Sequence, residues 1–162
     1  MTTEPTPLRL PALDPVTLEA RTGTGYPEPF RAAVANRERR ALGTALGLRN
    51  FGVNLTTLSP GAASAQRHWH AKQDEFIYVV AGEVTLITDA GEQVLTAGMV
   101  AGFPAGRADG HHLVNRSDHD AVILEVGDRT PGDVATYPDI DLEARDVGGR
   151  WGFFHKDGTP YY

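Results

Sequence analysis

The sequence predicts an all-β fold, a single sandwich or barrel, and three observations support this prediction. After Asn50 the chain consists of short apolar runs rich in Val, Ile, Thr and aromatic residues. Glycine-bearing turns interrupt these runs about every ten residues, which is the spacing typical of short antiparallel strands. The length of 162 residues, of which 41% are hydrophobic, is enough for one sizeable core and short for two.

Eight strands are predicted in the central part of the chain, residues 49–128, which we expect to form the barrel. The segment Asp89-Ala90-Gly91-Glu92 has the residue types of a tight hairpin turn. The predicted strands are 50–58, 66–70, 75–81, 84–89, 92–95, 99–103, 110–115 and 120–127.

The segments on either side are predicted to pack on the barrel. Residues 1–29 contain prolines at positions 5, 7, 11, 15, 27 and 29, too many for a regular element, which indicates an extended arm. From Phe30 to about Arg40 the apolar residues fall near helical spacing and predict a short helix, whereas Leu42 to Leu48 could equally be a strand. Residues 1–48 are therefore expected to be an arm and a short helix, and residues 129–162 a C-terminal extension.

Composition and charge exclude several classes of partner and site. A formal net charge of −6 argues against a nucleic-acid partner, and the basic run Arg37 to Arg40, interrupted by Glu38, is interpreted as a solvated face. With no cysteine, thiolate catalysis and cysteine-bound metals are excluded. The N-terminus lacks the pattern of a secretory signal, and no run approaches the ~20 apolar residues of a membrane span. We therefore expect a soluble cytoplasmic protein without a membrane partner.

A group of histidine and glutamate residues has the spacing of a metal site. If residues 66–70 form a strand, His68 and His70 project from the same face. Glu75 opens the next apolar run and shares a face with Ile77 and Val79. A carboxylate on such a face is costly to bury unless it is paired or bound to a cation.

A fourth ligand is expected some 40 residues later, in the segment Gly110-His111-His112. Three imidazoles and one carboxylate suit a divalent transition metal such as Zn, Fe, Mn or Ni better than Ca or Mg, which prefer oxygen ligands. The predicted cofactor is one such ion.

Two longer patterns resemble the conserved motifs of the cupin superfamily. The first runs from Gly61 through His68-Trp-His70, with four residues to Glu75 and six more to Gly82. The second has Gly98, five residues, Pro104-Ala-Gly106, then His111 and, after three residues, Asn115. This resemblance implies a double-stranded β-helix, or jelly-roll barrel, of a small single-domain type.

The loops before both ligand segments are slightly longer than is usual in cupins, and the longer loop before His111 leaves two candidates for the fourth ligand. His111 keeps the motif's spacing to Asn115 and shares a face with Leu113, so we favour it over His112. The resulting ligand set is His68, His70, Glu75 and His111.

The predicted function is that of a metal-dependent enzyme acting on a small oxygenated metabolite, either an oxygenase or an isomerase, lyase or cyclase. Four protein ligands on a six-coordinate ion leave positions for substrate. Glu75 could also act as a base, and His112 is the candidate general acid–base because imidazole titrates near neutrality. The alternatives are a non-catalytic sensor barrel that binds a small molecule or metal, and a cupin fold with a vestigial site.

The other face of the strand that begins at Glu75 carries Phe76, Tyr78 and Val80. These side chains would face away from the metal and need covering, either by the N-terminal arm or by a second subunit. We favour a homodimer.

Overall fold

Twelve strands dominate the structure, a computed structural model that describes residues 7–162. Regular helix is limited to α1 (Leu42–Ala45), with single 3₁₀ turns at Pro15–Thr17 and Ala32–Val34. None of the helices in this part of the chain is long and apolar enough to cross a membrane. The strands are β1 (Arg37–Ala41), β2 (Phe51–Leu58), β3 (Trp69–His70), β4 (Glu75–Ala81), β5 (Glu83–Thr88), β6 (Gly91–Thr96), β7 (Val100–Phe103), β8 (His112–Val114), β9 (Ala121–Asp128), β10 (Val134–Tyr137), β11 (Leu142–Val147) and β12 (Arg150–Phe154).

Two antiparallel sheets enclose the main core. One has the order β1-β2-β9-β4-β7, and the other has the order β6-β5-β8. Each of the eight predicted strands overlaps one of β2 to β9, the hairpin at Asp89-Ala90 joins β5 to β6, and the all-β fold class is confirmed. The core between the sheets is apolar, because alternate residues of each strand point inward; it contains Leu58, Ile77, Val79, Val84, Leu86, Leu95, Leu113, Ala121 and Ile123.

A third sheet, of order β12-β11-β10-β3, is built largely from the C-terminal extension, in which the sequence analysis had predicted no strands. Ala135 pairs with Ala144 and Tyr137 with Leu142, so these four side chains share one buried face. Tyr26 and Val34 from the N-terminal segment pack against the same face and complete a second apolar cluster. The extension also supports the predicted ligand strand, because β10 pairs with β3.

The helix predicted from Phe30 to about Arg40 is wrong over most of its length. Only the turn at Ala32–Val34 is helical, and residues 37–41 form β1. Every residue of this strand pairs with β2. On its other edge, the backbone N–H and carbonyl of Arg39 both form hydrogen bonds with the backbone of Arg21. The segment forms a strand despite its helical spacing because the backbone groups on both of its edges have hydrogen-bond partners.

The interpretation of Arg37 to Arg40 as a solvated face is also wrong. In a strand, successive side chains point to opposite faces, so Arg37 and Arg39 point inward while Glu38 and Arg40 point outward. Only 7% of Arg37 is exposed. The interior of the barrel is consequently polar beside β1 and apolar farther along the same sheet.

Candidate metal centre

Backbone pairing brings the predicted ligand residues to one place. His68 and His111 form an isolated antiparallel bridge, in which the N–H of each donates to the carbonyl of the other at 3.2 and 2.9 Å. Their ring centroids lie 5.0 Å apart, and that of His70, two residues along from His68, lies 4.9 Å from that of His68. Glu75 reaches the same point from β4, on the inward face that it shares with Ile77.

The three imidazoles meet at the Glu75 carboxylate through the same ring atom. Nε2 of His111 lies 2.7 Å from Oε2 of Glu75, and Nε2 of His68 lies 3.5 Å from that oxygen. Nε2 of His70 lies 3.5 Å from Oε1. One donor atom from each of His68, His70 and Glu75 lies within 4.8 Å of the others. We call His68, His70, Glu75 and His111 together the His₃Glu group.

Hydrogen bonds outside the group orient two of the rings. Nδ1 of His68 lies 2.8 Å from the carbonyl of Gln66, and Nδ1 of His70 lies 2.5 Å from Oδ2 of Asp133. When Nδ1 donates its proton in this way and the ring is neutral, Nε2 carries the lone pair that a metal ion requires. Asp133 has no exposed surface, and its other oxygen accepts from the backbone N–H of Lys72 at 2.7 Å.

The third ring, that of His111, is held by packing. It stacks parallel to Phe103 with ring centroids 3.5 Å apart. Its Nδ1 is buried and has no hydrogen-bond partner among residues 7–162. Three convergent imidazole nitrogens and a carboxylate form a donor set that suits a divalent transition metal, so the residues present fit the predicted ion.

The pKa values of the His₃Glu residues are shifted by burial and by their charged neighbours. Burial raises the pKa of Glu75, but hydrogen bonds from His111, His68 and His70 outweigh it and hold this pKa well below the ordinary range. Burial lowers the pKa of His70, but Glu75 and Asp133 outweigh it and raise the pKa to about 9. Burial also keeps the pKa of His111 below its ordinary value. Glu75 is thus ionised, and the proton that Glu75 and Asp133 favour on His70 is the one that a bound metal ion would displace.

The His₃Glu group lies in the wall between two cavities. A cavity of about 470 Å³ opens between the main sheet and the C-terminal sheet, and a second, of about 250 Å³, lies toward β5 and β7. His70, Glu75 and His111 line both. A small molecule in the larger cavity would therefore be in direct reach of the donor atoms.

His112, the acid–base candidate from the sequence, lines neither cavity. Its side chain points to the opposite side of β8 from Leu113, and its Nδ1 lies 3.0 Å from the carbonyl of Ala65. Burial lowers its pKa. It also makes no hydrogen bond to the His₃Glu group, so no catalytic role is assigned to it.

Several polar residues of the larger cavity were missed by the sequence analysis. A carboxylate at an inward position of an apolar strand is a detectable signal, and Glu125 is such a residue because it follows Ile123 on β9. The other missed residues could be recognised only once the positions of β1 and the C-terminal strands were known. The missed residues are Arg37, Arg39, Asn54, Glu125, Tyr26 and Tyr137.

We expect Asp133→Asn to weaken metal binding about 10- to 100-fold, because the single amide oxygen cannot accept from both Nδ1 of His70 and the backbone N–H of Lys72, so the tautomer and orientation of the His70 ring are no longer fixed. A competition titration with a chromophoric chelator measures the affinity. Asp141→Asn is the matched control, since Asp141 makes the same contact to Nδ1 of His155, at 2.7 Å, away from the cavities. Equal affinities of Asp133→Asn and the control variant would contradict the assigned role.

The fold and the donor set together define a small β-barrel protein with a candidate metal centre, and comparison with known proteins gives its family. A family model for the cupin domain matches residues 54–127. A solved structure from Silicibacter pomeroyi, described as a sugar phosphate isomerase from a cupin superfamily, is 44% identical with a TM-score of 0.89, and the match covers 94% of this chain and 97% of that one. The chain belongs to the cupin superfamily.

Two further structures extend the comparison. A protein from Acidithiobacillus ferrooxidans, provisionally assigned as a sugar phosphate isomerase, is 29% identical with a TM-score of 0.70 and covers 78% of this chain and 80% of that one. The polyketide cyclase RemF from Streptomyces resistomycificus, at 20% identity and a TM-score of 0.64, covers 80% and 85% and is similar in fold alone. No curated protein matches the sequence.

Proposed function

We propose that this protein is a metal-dependent isomerase that acts on a sugar phosphate. The observation that carries the proposal is the meeting of three imidazole Nε2 atoms and one carboxylate in the wall of a cavity of about 470 Å³. The S. pomeroyi protein, 44% identical over nearly the whole chain, supplies the reaction class and the kind of substrate. Of the reactions that the sequence allowed, isomerisation is therefore preferred to oxygenation.

The first part of the reaction is to bind and polarise the substrate carbonyl. His68, His70, Glu75 and His111 would hold the ion, which supplies Lewis-acid polarisation of a carbonyl oxygen. The outer hydrogen bonds of Gln66 and Asp133 keep two of the imidazole rings in orientation. Because its pKa is held well below the ordinary range, Glu75 is a weak base, and we assign it to metal binding alone.

The second part is proton transfer between two neighbouring carbons, which requires a base on the cavity wall. Glu125 lines the cavity, and it lies diagonally across the strand pair from Glu75, since Glu75 pairs with Gly127 and Ile77 with Glu125. Diagonal neighbours on one face are about 7–8 Å apart, which leaves room for a substrate between them.

The Glu125 carboxylate is already oriented. Its Oε2 accepts a hydrogen bond from Oγ1 of Thr56 at 2.6 Å and lies 3.2 Å from Nη2 of Arg39. We assign to Glu125 the removal of the proton from the carbon next to the carbonyl and its return to the former carbonyl carbon. The proton of the hydroxyl on the first carbon passes to the former carbonyl oxygen, which completes the exchange of carbonyl and hydroxyl.

The test is conversion of a panel of aldose and ketose phosphates in D₂O, followed by NMR with protein loaded separately with Zn, Fe, Mn or Ni. Isomerisation of one member, with deuterium entering at the carbon next to the carbonyl, is the expected result. Binding of substrates without conversion under any metal would contradict the proposal and favour the non-catalytic sensor barrel.

We also propose that the protein is a homodimer that buries the outer face of the main sheet. Phe76, Tyr78 and Val80 are exposed there, and the residues paired with Tyr78, Val100 and Leu124, extend the apolar surface onto both neighbouring strands. An apolar sheet face of this kind is self-complementary under two-fold symmetry.

The cytoplasmic location stays a prediction from the sequence.

Sedimentation velocity at micromolar concentration measures the assembly. We expect a dimer for the wild type and for Val147→Glu, an exposed apolar residue of β11, and a monomer for Tyr78→Glu, which places a charge in the buried interface. A monomeric wild type would contradict the proposed interface.

A further inference from the structure

Arg37 is a buried cation with little of its hydrogen-bonding capacity used. Its side chain points into the barrel from β1, and 7% of the residue is exposed. Within residues 7–162 its only hydrogen bond is donated to the carbonyl of Ser64. A guanidinium has five N–H donors, so most of the donors of Arg37 are available.

The Arg37 side chain borders open space. Arg37 lines the cavity of about 470 Å³ that also contains the His₃Glu group. In the described part of the chain, Nδ1 of His111 is the only fully enclosed side-chain nitrogen or oxygen without a partner, so the other guanidinium nitrogens of Arg37 are not sealed by neighbouring protein atoms. A ligand in the cavity can therefore reach them.

The charge around Arg37 is not balanced. Arg39 points into the same cavity and is 3.2 Å from Glu125, whose carboxylate also accepts from Thr56. Among the strongest charge effects on Arg37, the carboxylate is Glu125, which is already paired with Arg39. A buried cation without a counterion of its own is destabilised, and burial followed by the charge of Arg39 accordingly lowers the pKa of Arg37.

Two tyrosines, Tyr137 and Tyr26, line the same cavity as Arg37 and the metal centre. The ring of Tyr137 stacks on His68 at 5.6 Å, and its hydroxyl lies 3.4 Å from the hydroxyl of Tyr26. Both hydroxyls lie within the electrostatic influence of Arg37. The metal centre and the Arg37 guanidinium therefore border the same cavity from different elements of its wall.

We infer that Arg37 binds an oxyanion, the phosphate or carboxylate group at the end of a substrate whose carbonyl end lies at the His₃Glu group. The planar guanidinium presents paired N–H donors to such a group, and the bound anion supplies the counterion that the cavity lacks. The inference rests on the proposed function, because it locates the phosphate of the sugar phosphate.

Isothermal titration of the purified full-length protein with inorganic phosphate, and separately with acetate, tests this assignment. We expect phosphate to bind the wild type and to bind Arg37→Gln about tenfold or more weakly, because a charge-assisted bidentate contact is lost. Arg40→Gln is the matched control, since it removes the same charge from the same strand on the outward face. Arg37-dependent binding of acetate without phosphate would support the site and assign it to a carboxylate.

Equal phosphate affinity of Arg37→Gln and the wild type, or no binding of either probe to the wild type, would overturn the inference. Circular dichroism and metal content show whether the variant is folded. If Arg37→Gln does not fold, Arg37→Lys retains the buried charge but loses the paired donors, and an affinity equal to that of the wild type would again overturn the assignment.

The same variants separate this inference from the proposed function. Phosphate binding that depends on Arg37 in a protein that isomerises no sugar phosphate would contradict the proposed function and leave the oxyanion site in place. Isomerase activity with an unchanged KM in Arg37→Gln would contradict the oxyanion site and leave the isomerase in place.

Discussion

His70→Ala is expected to lose transition-metal binding and, with it, isomerase activity. Its Nε2 is one of the convergent donors at Glu75, and its Nδ1 is bonded to buried Asp133, so the variant removes a ligand and leaves a buried carboxylate without its partner. Loss of an outer partner alone costs about 10- to 100-fold in metal affinity, and loss of the ligand itself should exceed that range. Metal content after dialysis and a chelator competition measure the effect.

The control for this variant is His119→Ala. His119 is highly exposed, with 85% of its side chain accessible, and it lies outside both cavities. It should retain the metal content and activity of the wild type. If His70→Ala, folded by circular dichroism, bound metal as tightly as His119→Ala, the His₃Glu group would not be the metal centre.

Glu125→Gln is expected to lower kcat by about 100- to 10,000-fold while leaving metal content unchanged, because it removes the proposed proton-transfer group without touching a ligand. The amide is nearly isosteric with the carboxylate and can still accept from Thr56 at the position of Oε2. The KM is expected to change much less than kcat. Initial rates at saturating substrate, together with loss of deuterium exchange in D₂O, measure the effect.

Glu143→Gln is the matched control, because Glu143 is also a partly buried carboxylate paired with an arginine, Arg145, at 2.7 Å. It is not among the residues that line either cavity. We expect wild-type kcat from this variant. A kcat for Glu125→Gln within about twofold of the control would contradict the acid–base assignment, since general acid–base catalysis contributes far more than this.

The central strands and the parity of their side chains could be predicted from the sequence, because both depend on local alternation. His68 and His70 lie two residues apart, and Glu75 shares a face with Ile77, so the inward direction of these side chains follows from the period of a strand. The same alternation gave the eight central strands to within a few residues. The residue types made His111 and His112 candidates, but the choice of His111 came from the motif resemblance and its shared face with Leu113, since its meeting with His68 depends on a backbone bridge between distant segments.

Most of the missed features depend on long-range pairing. β1 has the composition of a charged surface segment, and only its pairing with β2 shows that Arg37 and Arg39 point inward. Asp133 precedes β10, and it reaches His70 because β10 pairs with β3. Local sequence cannot supply such contacts, because the partners lie tens of residues away.

The C-terminal extension is therefore part of the candidate site and does more than cover the barrel. It supplies Asp133 behind His70 and Tyr137 beside His68, and Trp151 has its ring centroid 6.1 Å from that of His70. The alternation of Ala135 with Tyr137 and of Leu142 with Ala144 was visible in the sequence as a strand signal. The polar, Pro- and Gly-containing residues around it mask this signal.

The most direct test of the account is elemental analysis of protein purified without an affinity tag or added metal. The account predicts about one equivalent of a single divalent transition metal per chain, because the four donors suit such an ion. Wild-type protein that contains no transition metal above background, and that gains neither bound metal nor thermal stability when Zn, Fe, Mn or Ni is added, would contradict it.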